Sequence, residues 1–285
     1  MKKIWALWSY INNFGDMLTP YLLKNIFNIE CVSISRKKVR KNLINLPFLL
    51  GCGSLIQAFT LNNSYIWGTG LIENTNEIKG TPEHIFAVRG KLTREKLLAN
   101  GILCPTKYCD PALLLNEVFP VAEPIKYTLG IIPHFVDSDN SLFSKYYGEK
   151  DVVIIDIKDS VSAVVKQVKQ CSHIISSTLH GVIVADAFNI PRLPIVVGGK
   201  IIGGDFKFLD YGYSVNLPIK RYQLQANDTI KLLVEKCVVP QFDIDKMTSF
   251  LKVDFSPVYY STELENIYLD GTETEKAKLL EKFLQ

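Results

Sequence analysis

Short apolar runs, each closed by a polar or glycine-bearing turn and followed by helical periodicity, recur along this chain. Compact, mostly apolar runs of three to five residues at 4–8, 46–50, 65–67 and 84–88 suit buried parallel strands. The pattern starts again with runs at 128–132, 152–155, 173–175 and 193–197. Between them, helix periodicity predicts segments at 20–27 behind a Thr19-Pro20 start, at 93–100 stopped by Gly101, and at 161–170. Further helices are expected after Ser176-Ser177 as far as Asn189 and Pro191, and at 228–237, 242–251 and 274–283. Strand, turn and helix in repeated alternation predict an α/β protein with two layer systems. Phe119-Pro120-Val121-Ala122-Glu123-Pro124-Ile125-Lys126 carries two prolines and breaks the periodicity, so it reads as an extended connector. The expected division is a first domain at 1–124, a second at 125–240, and a helical tail at 241–285 that packs back on the first.

Composition narrows the class without naming a function. The chain has 285 residues, 47% hydrophobic and 21% charged, enough for a core in both halves. A formal charge of +3 with scattered basic residues gives no footprint for nucleic acid. The one basic cluster, Arg36-Lys37-Lys38-Val39-Arg40-Lys41, reads as a solvated loop or as a contact for an anionic membrane surface or phosphorylated acceptor. Six cysteines without a C-x-x-C pair or histidines at zinc spacing read as reduced thiols of a cytoplasmic protein, and no metal site is expected. The opening apolar run stops at Ser9 without a cleavage signature, so it reads as a strand rather than a signal peptide. No segment reaches the roughly 18–20 apolar residues of a membrane span. Association with the inner face of the cytoplasmic membrane would therefore be peripheral, and the sequons at Asn62 and Asn227 carry no meaning. Neither a G-x-G-x-x-G fingerprint nor a G-x-x-x-x-G-K-[ST] loop occurs, which speaks against dinucleotide and NTP binding.

Candidate chemistry collects at strand ends. His180, in Ser177-Thr178-Leu179-His180-Gly181, falls in the first turn of a helix, where unpaired N–H groups attract anions and disfavour an imidazolium. Gly181 either admits a ligand to the backbone or simply packs. Asn13 and Asp16 follow the first strand, with Asp16 either a cleft residue or a helix cap. Gly51-Cys52-Gly53-Ser54 and Gly68-Thr69-Gly70 are glycine turns that can present N–H groups to an oxyanion or merely reverse the chain. Arg89, closing the fourth strand, offers a planar fork for a carboxylate or phosphate, the alternative being a structural pair with a nearby acid. His134 ends the first strand of the second half and is expected in the cleft, whereas His84 and His173 are expected to be structural. The glycine-rich 198–205 stretch, with Lys200, reads as a mobile loop near the site, and Lys207 beyond it is a further anion ligand candidate. Together these residues describe a site for a small polyanion and a polar acceptor.

Several of these stretches, in this order, resemble the polysaccharide pyruvyl transferases. They are Asn13-Phe14-Gly15-Asp16, Gly51-Cys52-Gly53-Ser54, Trp67-Gly68-Thr69-Gly70, Val88-Arg89-Gly90 with Thr93, Asp110-Pro111-Ala112, the His180 stretch, and Phe206-Lys207-Phe208 with Asp210-Tyr211. The resemblance implies two Rossmann-like domains facing a cleft in a GT-B-like glycosyltransferase architecture. It implies phosphoenolpyruvate as donor substrate, no cofactor, and a sugar or lipid-linked oligosaccharide acceptor on which a cyclic ketal forms with release of phosphate. His180 is then the candidate acid. His134, Asp16 or a recycled His180 is the base. Arg89, Lys207, Thr178 and Gly181 lie on the donor side, and Asn13, Gly53, Ser54, Gly68, Thr69 and Gly70 on the acceptor side or in supporting loops. One departure stands out: the family commonly has arginine where this chain has Thr178, so Lys207, Lys200 or another basic residue would have to replace that charge. A nucleotide-sugar glycosyltransferase and a non-catalytic carbohydrate-binding protein are the competing readings.

Overall fold

The computed structural model describes residues 2–8, 13–75, 77–198 and 204–259. The chain runs through β1 (Lys2–Leu7), α1 (Phe14–Phe27), β2 (Ile29–Ser33), α2 (Arg36–Arg40), β3 (Phe48–Leu50), β4 (Ser64–Trp67), β5 (His84–Ala87), α3 (Lys91–Ala99) and α4 (Leu115–Val118). It continues through β6 (Leu129–Ile132), β7 (Val152–Ile154), α5 (Val161–Lys169), β8 (Ile174–Ser176), α6 (Leu179–Ala187), β9 (Arg192–Val196), α7 (Phe206–Ser214), β10 (Tyr222–Gln223), α8 (Ile230–Glu235) and α9 (Ile244–Ser249). The strands form two parallel sheets, β2-β1-β3-β4-β5 and β10-β9-β8-β6-β7. Read from the other edge, the second sheet is β7-β6-β8-β9-β10, so both sheets place their strands in the same relative order. This is an α/β protein with two Rossmann-like parallel sheets.

Most predicted strands and helices are present, and the differences have local causes. Helix α1 starts at Phe14 rather than at Pro20, because the Asn13 side chain accepts the Gly15 N–H at 2.9 Å and caps the earlier turn. Pro20 therefore lies inside the helix, where it has no N–H to offer the turn before it. Thr19 is not a cap either: its Oγ1 accepts the Cys52 N–H at 2.8 Å and holds the turn after β3. The basic cluster expected in a loop forms the short helix α2, started by Ser35 accepting the Lys38 N–H. Strand β2 and helix α7 were not foreseen. In β2 only alternate residues are buried, so its period-two pattern is weaker than a run buried on both faces.

An apolar core is shared by the two halves. Met17, Leu18, Leu22 and Tyr21 of α1 join Val161, Val164 and Val168 of α5, Val182 and Ile183 of α6, and Ala112, Leu113, Leu114 and Leu115 from the segment before α4. Separate clusters cover the outer faces of the sheets, one around Trp5, Phe48 and Leu50, the other around Leu129, Phe143 and Ile195. The Phe14 N–H donates to the Ile157 carbonyl at 2.7 Å, joining the start of α1 to the second sheet's loop. A buried apolar layer of this kind resists hinge motion. Residues 119–126 form no helix or strand. After α9 the chain returns to the first sheet, where Trp67 Nε1 donates to the Leu251 carbonyl at 2.9 Å and Phe255 packs edge-on to Phe27 and Trp67. The helix expected at 274–283, Lys200 and most of the glycine-rich loop lie outside the described residues.

Candidate active site

In each sheet the strand order reverses direction beside its first strand, between β1 and β3 and between β6 and β8. Crevices at the carboxyl ends of such strand pairs bind ligands in open parallel sheets. The residues that follow these four strands include Asn13, Gly15 and Asp16 after β1, Gly51 to Ser54 after β3, His134 after β6, and Ser177 to His180 after β8. The two crevices meet at one contact. A Cβ placed on Gly15 would stand 1.9 Å from Nδ1 of His180, so the imidazole lies against the backbone of α1's first turn. His180 remains partly accessible rather than sealed.

Backbone bonds from two serines fix the histidines. Ser177 Oγ accepts the His134 N–H at 2.8 Å, tying the end of β6 to the start of α6. Ser176 Oγ accepts the Thr178 N–H at 3.0 Å and lies 2.9 Å from the Ile132 carbonyl to which it donates. Gly181 is a packing residue: a Cβ there would approach Ser176 Oγ to 2.4 Å, so α6 rests directly on β8. Thr178 is buried at the N-cap of α6 but its hydroxyl makes no cap bond.

Four titratable groups here are strongly perturbed. Burial first, and then the positive charges of Lys207 and Arg89 and the nearby His134, push His180 down to about 3. Burial and Lys207 push His134 down to about 4. Lys207 itself falls to about 8 through burial and the neighbouring Arg89 and Arg221. Asp16 moves the other way, to about 7, because burial outweighs the attraction of Arg36. At neutral pH the imidazoles are therefore uncharged, Lys207 is largely cationic and Asp16 is near half-protonated. Groups whose pKa values are driven apart by burial and neighbouring charge are the pattern found at proton-transfer sites.

Arg89 departs from the open clamp expected of it. It is fully buried, its Nε donates to Asp210 Oδ2 at 3.1 Å, and Nη2 stands 3.0 Å from the same oxygen while donating to the Leu71 carbonyl. Its Nη1 donates to Ser54 Oγ at 2.7 Å. Asp210 also accepts the Thr93 N–H at 2.8 Å and its hydroxyl at 2.7 Å. The fork is thus spent on a structural ion pair between the first half and α7, and it reaches the cleft only through its field on His180 and Lys207. The glycine turns shape that seat. Thr69 Oγ1 donates to the Gly53 carbonyl and accepts the Leu55 N–H, and a Cβ on Gly70 would meet the Arg89 guanidinium at 2.5 Å. Gly68, at φ 82°, leaves room for Pro111 and the Cys109 carbonyl. Ser54 and Gly70 touch Arg89, Thr69 ties the Gly53 turn beside them, and Gly68 packs on Pro111; of these only Gly53 and Ser54 are partly accessible.

The structure brings His134, His180 and Lys207 together, sets Asp16 one residue from the Gly15 that touches His180 but facing Arg36, and adds residues not singled out from the sequence. Gly15, Ser177 and Asp210 sat inside quoted motifs without a role, and Arg36 sat in the basic cluster; the run of motifs was the available signal. Among the described residues no group of three histidine, cysteine, aspartate or glutamate side chains is placed to hold a metal. No described helix is long and apolar enough to cross a membrane.

The sequence profile described as polysaccharide pyruvyl transferase matches residues 9–199, a span that contains every element from α1 to β9. The chain belongs to the polysaccharide pyruvyl transferase family. The matched span of this family member includes Asp16, Arg89, His134 and His180, while Lys207 and Asp210 lie beyond it. An uncharacterized protein of Acanthamoeba polyphaga mimivirus is 33% identical over 210 residues, covering 70% of this chain and 69% of that protein. The succinoglycan biosynthesis protein ExoV of Rhizobium meliloti is 21% identical over 194 residues, 66% of this chain and 60% of that protein. Family membership supports a transferase role, and the relationship to ExoV links the chain to a protein named for succinoglycan biosynthesis.

Proposed function

We propose that this protein transfers the pyruvyl group of phosphoenolpyruvate to two hydroxyls of a sugar, forming a cyclic ketal and releasing phosphate. The observation that carries this reading is the seating of His180 against Gly15, beside Lys207 and His134, where the reversal points of the two sheets converge. The donor's phosphate and carboxylate suit Lys207 and the N-terminal turn of α6. Lys207 stands in for the charge that Thr178 lacks. An anion bound there offsets the positive field on His180 and raises its pKa from about 3 toward the range a general acid needs.

His180 then delivers a proton to the donor's methylene carbon, and a sugar hydroxyl adds to the neighbouring carbon. Its proton goes to Asp16, whose pKa of about 7 suits a base. Phosphate leaves, the second hydroxyl adds to the same carbon, and its proton departs with phosphate or restores His180. His134 lines the site and keeps its field neutral. In this reading the two sheets are the cores of two domains, 1–124 and 125–240, arranged as in GT-B glycosyltransferases, with 241–285 as a tail. The acceptor is an oligosaccharide precursor, lipid-linked at the inner face of the cytoplasmic membrane.

Thermal stabilisation by phosphoenolpyruvate and inorganic phosphate, compared with a nucleotide-sugar panel, tests the donor. Selective stabilisation by the first pair is expected, together with phosphate release that His180→Ala abolishes. Stabilisation by nucleotide sugars alone transfers the case to a glycosyltransferase, and turnover by a folded His180→Ala protein removes the imidazole from its role.

A further inference from the structure

Beyond the cationic cluster, at the carboxyl ends of β6 and β7, lies a cavity of about 320 Å³, near the lower end of the roughly 300–1,000 Å³ typical of ligand pockets. Its walls adjoin the site on two sides. Phe135 lines it and packs on the His134 ring, with centroids 4.4 Å apart. On the other side Ile157, also in the lining, accepts the backbone bond from Phe14 at the start of α1.

The chemistry of this cavity is opposite to that of the cluster next door. Phe135 and Tyr147 are large aromatic side chains, left 37% and 62% exposed, that both line the same cavity. The carboxylates of Asp139 and Asp156 reach the lining against one cation, Lys158. The Asp139 carboxylate and the Tyr147 hydroxyl have no hydrogen-bond partner among the described residues, so both are open to a ligand. Net negative charge repels a phosphorylated ligand. Exposed aromatic faces match the apolar C–H face of a pyranose ring, and carboxylates accept hydrogen bonds from its hydroxyls.

From this the geometry points to a sugar subsite: the cavity holds a neutral hexose unit next to the one that receives the pyruvyl group. The acceptor is therefore a disaccharide or longer. This rests on the donor and acceptor reading above, with the anionic donor on Lys207 and His180 and the neutral acceptor running from Asp16 past His134 into the Phe135 and Tyr147 cavity.

Saturation-transfer NMR with cellobiose, lactose, glucose and galactose tests it on the full chain, run beside thermal stabilisation by inorganic phosphate. The expected result is binding of a disaccharide more tightly than of the monosaccharides. Tyr147→Ala and Asp139→Asn should each weaken disaccharide binding by about tenfold, while phosphate still stabilises both variants as it does the wild type. Phosphate stabilisation also shows that each variant is folded. Disaccharide binding unchanged in both variants, or absent from the wild type, overturns the subsite. Loss of phosphate stabilisation in the wild type overturns the donor site instead, so the two failures are told apart.

Discussion

Two cationic regions meet along helix α7, three residues apart, and they have opposite fates. At Asp210 the helix supplies a carboxylate that neutralises Arg89 in a fully buried, fully bonded pair. At Lys207 the same helix adds a positive charge to a place that already holds two histidines, where burial first and that charge second push both imidazoles toward neutrality. One region is balanced inside the protein and holds the halves together. The other has no acidic neighbour among the charges that act on it. The presence or absence of a buried carboxylate, rather than residue type, separates Arg89 from Lys207.

The largest expected effect comes from unbalancing the closed region. Asp210→Ala leaves Arg89 charged and buried without its partner, which costs about 3–5 kcal/mol. Denaturant titration should show that loss, and replacing both residues by apolar ones of similar volume should recover most of it. A wild-type midpoint for Asp210→Ala would mean that Arg89 is solvated after all.

Next comes the contact between the halves. In Gly15→Ala the new methyl would fall 1.9 Å from His180 Nδ1, so the imidazole must move. Turnover is expected to drop on the order of a hundredfold, with a stability loss of about 1–3 kcal/mol. Kinetics and calorimetry on the same preparation check the split between the two.

A smaller effect belongs to the open region. Lys207→Met should weaken phosphate binding by roughly tenfold, in line with one charge-assisted hydrogen bond, and should raise the His180 pKa by removing a positive neighbour. Lys207→Arg should retain much of the affinity. Calorimetric titration with inorganic phosphate reads the first, and NMR of the imidazole carbon protons reads the second.

The mildest test is pH. His180 and His134 sit below their ordinary value of 6.5, at about 3 and about 4. The unfolded chain therefore binds more protons in that interval. Their contribution to stability is complete above pH 6.5 and is lost as pH falls through the window to about 3. Asp16, raised from 3.8 to about 7, opposes this: its contribution is complete below 3.8 and lost as pH rises through 7. Melting temperature should fall between pH 6.5 and 4, less steeply with phosphate bound, because an anion stabilises the imidazolium. His134→Gln should flatten the slope, and an unchanged slope would place the effect elsewhere.

Much of the layer order was legible because a strand buried on both faces leaves a compact apolar run. The runs that became β1, β3, β4 and β6 are of that kind. Strand β2 escaped because its pattern is half-buried, and the start of α1 was misplaced because Thr19-Pro20 imitates a helix start that Asn13 supplies one turn and a half earlier. His180 and His134 were legible from their place after strands.

Local pattern and motif order were enough to determine the α/β alternation, the parallel strands and the family resemblance, since all three depend on residues close together in the chain. The tertiary structure alone decided that Arg89 belongs to Asp210, that Gly15 makes room for His180, and that burial, with Lys207 behind it, keeps both imidazoles uncharged. The reason is that desolvation and Coulomb interaction act through space, between groups up to 165 positions apart in the chain.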